Sequence, residues 1–75
     1  MAADARDGSV PAWLLRSVAL NSLAELHIDR AVAAGFPFAA AGEAARAADD
    51  AAAALQRSLR AWPSNAQARM SLALL

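Results

Sequence analysis

The 75-residue chain has no cysteine, so neither a disulfide nor a thiolate metal site can support it. It also lacks lysine, tyrosine and threonine. β-branched residues are confined to Val10, Val18, Ile28 and Val32, and no apolar–polar alternation persists over five residues. Both facts argue against a sheet. The glycines stand apart at 8, 35 and 42 and compose no phosphate-cradling loop. No serine has a base beside it, which leaves little material for nucleophilic catalysis. The longest uncharged run, 31–42, holds two glycines and a proline, and nothing approaches the 18 apolar residues of a membrane span. The first ten residues carry charges and no apolar h-region, so no signal peptide is expected and the default location is cytoplasmic. Seven arginines balance seven carboxylates. Without a basic excess, a nucleic-acid partner is not expected.

Alanine makes up about a third of the chain and dominates its 59% hydrophobic content. This arginine-only, alanine-rich usage fits a GC-rich bacterial coding bias. Large apolar residues are few: ten Leu, three Val, one Ile, two Met, two Phe and two Trp. An alanine methyl gains little on burial beside a leucine. A domain this short buries only about 60% of its unfolded surface. A thin core in a small domain calls for a supplement. With disulfides excluded, a protein partner or a homo-oligomer is the expected one.

The composition and spacing predict an all-α fold: a three-helix bundle, or a helical hairpin plus a short C-terminal helix. Residues 1–8 read as a flexible leader and 9–75 as one helical domain. Pro11 suits a first helical turn and Gly35 a stop, giving a first helix at about 11–34. Its apolar residues fall on several sides. Leu15, Ala19, Leu23 and Leu26 form one stripe; Leu14, Val18, Ile28 and Val32 form another; Trp13 and Leu20 lie between. Apolar residues on several faces suggest a helix central in its fold or shared with a partner, and the polar residues that interrupt every face (Arg16, Asn21, Glu25, Asp29) argue against complete burial in a lone monomer. Phe36 and Phe38 are expected to plug the junction to a second helix at about 38–62, with Gly42 marking a bend or a late start. On that helix Ala44, Ala48, Ala51, Leu55, Leu59 and Trp62 share one face. Arg46, Asp49, Asp50, Gln56, Arg57 and Arg60 share the other. Arg46 is spaced to pair with Glu43 and Asp50.

Pro63 ends the second helix and biases Trp62 toward extended geometry. Ser64 and Gln67 then match a capping box that starts a third helix at about 64–75. Ala68, Leu72 and Leu75 share its inner face, and Met70 and Leu74 point elsewhere. Ala51, Leu55, Ser58 and Pro63, followed by Leu72 and Ala73, are spaced as in a tetratricopeptide repeat, and "WPSNAQA" resembles that family's turn. The resemblance covers about residues 47–75. Upstream, Gly35, Pro37 and Gly42 depart from the pattern. It implies a helical groove that binds protein rather than an active site.

No catalytic, cofactor or metal residues are assigned. His27, the only histidine, lies about 160–200° around the helix from Glu25 and Asp29 at 3.6 residues per turn. Helical metal sites place ligands on one side, as in Glu-x-x-His. The candidate protein interface comprises Trp13, Leu20, His27, Trp62, Met70, Leu74 and Leu75; the two tryptophans suit a core anchor first and an interface hot spot second. The expected function is that of a small non-catalytic accessory subunit or adaptor acting through helix packing. The alternatives are a subunit of an enzyme complex contributing His27, Glu25 or Asp29, and a small regulator or inhibitor. A membrane-surface helix is disfavoured, because the second helix lacks a basic polar face.

Overall fold

A computed structural model describes residues 10–39 and 41–75; the leader expected at 1–8 lies outside them. Among the described residues the chain is all-α: α1 (Ala12–Ala33), α2 (Glu43–Ala61) and α3 (Ala66–Ala73). Helix α1 starts one residue later than expected. Pro11 stands at its N-cap, and the Pro11 carbonyl accepts the Leu14 and Leu15 amides at 3.1 Å. Gly35 ends α1 as the spacing required. Its φ is +108°, the Phe36 amide reaches back to the Ala31 carbonyl at 2.9 Å, and the Gly35 amide to Val32 at 3.0 Å. This is a Schellman closure. Phe36 packs against the cluster of Ala31, Ala47 and Ala48.

The second helix begins at Glu43, not at 38. Gly42 precedes it with φ +62° and ψ −131°, a conformation outside the helical region that only glycine adopts freely. Phe36 is half-buried as a plug, but Phe38 is 98% exposed, so the paired-aromatic junction does not form. Phe36 alone is anchored by the α1 terminus. Phe38 sits beyond Pro37, in the segment the late start leaves outside the helix.

Helices α1 and α2 form the expected antiparallel hairpin, with Ser17 beside Ser58 at one end and Arg30 beside Glu43 at the other. The predicted inner face of α2 is correct: Ala44, Ala48, Ala51 and Leu55 are buried and Leu59 and Trp62 half-buried. Its polar face is exposed as expected. The partner face on α1 is neither predicted stripe. It runs through Ser17, Ala24 and Ala31, at intervals of seven. Among the described residues the buried apolar core consists of eight alanines and Leu55. Small side chains let two helices approach closely, so burial between them follows small volume rather than hydrophobicity. The larger residues of α1 are displaced to its flanks and outer side.

The arginine pairing differs as well. Glu43 and Asp50 turn across the hairpin to Arg30, at 2.8 and 3.9 Å, instead of pairing along α2 with Arg46.

Helix α3 returns along the hairpin, with Asn65 near Ser17 and Leu75 packed on the Ala31–Ala47–Ala48 cluster. It starts at Ala66, and the expected capping box is replaced. Asn65 is the N-cap, its Oδ1 accepting the Ala68 amide at 3.1 Å. Ser64 is exposed, and Gln67 donates to Glu25 at 3.4 Å. Asparagine prevails because its amide can cap α3 and donate to the buried serines at once. Trp62 is extended before Pro63, as expected, with φ −145°. The helix ends at Ala73; Leu72 and Leu75 dock against the core.

Candidate protein-contact surface

Where the three helices meet, a buried polar cluster fixes their positions. Ser17 and Ser58 are fully buried, and their hydroxyl oxygens lie 2.7 Å apart. The arrangement is reciprocal. The Ser17 hydroxyl is 3.1 Å from the Ser58 carbonyl, and the Ser58 hydroxyl is 2.9 Å from the Ser17 carbonyl. Asn65 donates its two amide protons to the two hydroxyl oxygens, at 2.9 and 3.2 Å. Asn21 Oδ1 offers Ser58 a second acceptor at 3.0 Å. Every donor therefore has an acceptor. Among the described residues no buried side-chain polar atom lacks a partner. A polar network that is fully satisfied rigidifies its site. Its role here is to set the register of α1 on α2 and the docking of α3.

That register decides what is left outside. Among the described residues ten large apolar ones are exposed, six of them on α1: Trp13, Leu15, Val18, Leu23, Leu26 and Val32. Leu26 is 63% exposed. The interior is lined by alanine while much of the leucine and valine faces solvent. Single exposed apolar residues are ordinary, whereas contiguous ones mark contact sites.

At the far end of the molecule an open cleft of about 240 Å³ lies between the C-terminal turns of α1 and α3 and the loop after α1. Ile28, Val32, Phe36, Pro37, Ser71, Leu74 and Leu75 line it. Leu74, 82% exposed, forms its rim. Met70, one turn earlier on α3, is exposed too.

No family model matches the chain, and neither does any curated protein or solved structure. The surface therefore stands on its own geometry.

Of the residues expected at an interface, Leu74 and Leu75 are brought together at the cleft. Leu75 is also half-buried against the core, which gives it a structural role inside the chain. Trp13 and Trp62 meet at the opposite end, their ring centroids 5.9 Å apart and tilted by 56°. Trp13 is exposed and Trp62 half-buried. Leu20 and His27 are half-buried on α1. Ile28, Val32, Phe36 and Pro37 belong to the cleft and were not among the candidate interface residues. The signal that could have found them is the Gly35 stop, whose closure turns Phe36 back onto α1.

His27 Nδ1 accepts a hydrogen bond from Arg30 at 2.9 Å, which fixes its other ring nitrogen as the protonated one. Glu25 is engaged by Gln67, and Asp29 is exposed. Among the described residues no three His, Cys, Asp or Glu side chains gather where they could hold a metal. Arg30 joins His27, Glu43 and Asp50 into one exposed polar group. The hydrogen bond to Glu43 and the nearby carboxylates raise the Arg30 pKa above its ordinary value. The same hydrogen bond, then the attraction of the guanidinium, holds the Glu43 carboxyl below the usual carboxylate range. Among the described residues no helix is long and apolar enough to cross a membrane.

Proposed function

We propose that this chain is a small, non-catalytic protein-binding module, an accessory subunit or adaptor that acts through helix packing. The observation that carries the reading is the inversion of the apolar residues: a core of alanine and one leucine, with leucine and valine on the outside. Burying a Leu or Val side chain is worth roughly 1.5–3 kcal/mol relative to leaving it in water. The fold forgoes that gain at several α1 positions, and a partner surface can recover it. The cleft beside Leu74 has the apolar lining that receives a side chain from another helix. The tetratricopeptide-like spacing over 47–75 points to the same class of activity.

The test is site-resolved photo-cross-linking in the native host. A photoreactive amino acid at position 74, on the cleft rim, is compared with one at position 56, on the polar face of α2. A discrete protein adduct from position 74 and none from position 56 supports the reading. Equal, diffuse labelling from both positions removes its basis.

A further inference from the structure

We propose that the outer face of α1 is a self-recognition surface that pairs two copies of this chain in parallel. The proposal rests on the reading of the chain as a helix-packing module. The buried residues Ser17, Ala24 and Ala31 repeat every seven positions. The diametrically opposite seam repeats every seven as well, through Leu15, Ala19, Ser22 and Leu26, all exposed. This 4-3-4 spacing is the a/d pattern of a two-stranded coiled coil. It places Val18 and Glu25 on one flank of the seam, and Leu23 and Arg30 on the other.

The flanks distinguish the possible pairings. In a parallel pair each flank meets the opposite flank of the second copy, five residues further along. Val18 then faces Leu23 of the second copy, and Glu25 faces its Arg30. Apolar meets apolar and acid meets base. In an antiparallel pair each flank meets itself. Centred near residue 24, that pairing sets Arg16 against Arg30 and Glu25 against its own copy. Moved by one heptad, it sets Arg16 against Leu23 and Val18 against Glu25. On the flanks, only the parallel register satisfies both the charges and the apolar positions. Arg30 can take this role while holding Glu43, because a guanidinium has five donors and its contacts to His27 and Glu43 use one N–H each. Asp29 continues the seam and sets two carboxylates against each other beyond Leu26, so the apolar contact ends there and the pairing is weakened at that end.

The helix is about 33 Å long at 1.5 Å per residue. One helix face of that length falls short of the ~800 Å² per partner of a standard interface. The pair is therefore expected to be reversible, with a dissociation constant on the order of micromolar.

The chain has no cysteine, so single-cysteine variants of the full-length protein report the geometry cleanly. Position 15 is at the seam and far from its centre. In a parallel pair, Leu15→Cys in two copies meets within disulfide reach and oxidises to a dimer. Gln56→Cys, on the polar face of α2, stays monomeric at the same concentration. Equal cross-linking of both variants overturns the proposal. So does cross-linking found only in a mixture of Leu15→Cys with Leu26→Cys, which reports the antiparallel pair. Sedimentation velocity supplies the second readout. The wild-type dimer should be lost in Leu26→Glu, with unchanged helical circular dichroism; a wild-type protein that is monomeric up to millimolar concentration also refutes the pairing. Position-74 adducts to another protein that survive in Leu26→Glu keep the binding-module reading intact when the dimer itself is absent.

Discussion

At the scale of single residues, Ser17, Ser58 and Asn65 matter more to this fold than any leucine except Leu55. Their hydrogen bonds are mutual, so removing one member strands the others in a buried site. Ser58→Ala should cost about 1–3 kcal/mol, the penalty for buried polar groups left unpaired. Asn65→Ala loses the α3 cap as well, a further ~1 kcal/mol. Either change should lower the melting temperature by roughly 4–8 °C per kcal/mol, measured by circular dichroism. Gly35→Ala should also destabilise the protein. Its φ is +108°, and an added Cβ would come within 2.9 Å of Ala39 Cβ. A loss of about 1–3 kcal/mol is expected from the strained conformation.

Glu43 gives the pH dependence its sign. Its carboxyl pKa is depressed in the folded state, first by the hydrogen bond from Arg30. The stabilisation is therefore present at neutral pH and lost as the pH falls through the folded-state value. Both side chains are exposed, so the effect on stability is small. The direct check is an NMR titration: the Glu43 carboxyl should titrate at a higher pH in Arg30→Ala than in the wild type.

At the scale of elements, close helix approach governs what each helix buries. Among the described residues Leu55 is the largest fully buried side chain, 1% exposed, and Leu55→Ala should cost about 2–5 kcal/mol. Ala47 and Ala51 are completely buried at the α1–α2 contact, and Ala51→Leu should destabilise by about 1–3 kcal/mol through overpacking, although it adds hydrophobicity. Thermal unfolding of these two variants separates a seam packed by volume from an ordinary leucine core.

The helices themselves were legible in the sequence. Pro11, Gly35 and Pro63 bracket them, and the amphipathic pattern of α2 identifies its inner face. The buried face of α1 was not legible, because hydrophobicity ranks Leu15, Leu23 and Leu26 above Ser17, Ala24 and Ala31. The contact selects the small residues, a choice visible only once a second small-residue face is placed against them. The corner misled for a related reason. Ser64 and Gln67 have capping-box spacing, but Asn65 can cap α3 and reach the buried serines together, and no local pattern encodes that second task.

At the scale of the whole molecule, the exposed apolar residues concentrate on α1 and at the α1–α3 cleft, whereas the outer face of α2 carries charge. The sequence signalled this imbalance through apolar residues on several sides of one helix. It did not signal where they would gather, since that depends on the register set by the serine–asparagine cluster. One measurement tests most directly whether the outer face of α1 is an interface. Association of folded chains stabilises them by mass action, so the melting temperature of a self-pairing protein depends on its concentration. Between about 1 µM and 1 mM, spanning the micromolar range expected of such a pair, it should rise by several degrees in the wild type and stay constant in Leu26→Glu. A wild-type melting temperature that does not move over that range would contradict the self-pairing of this face.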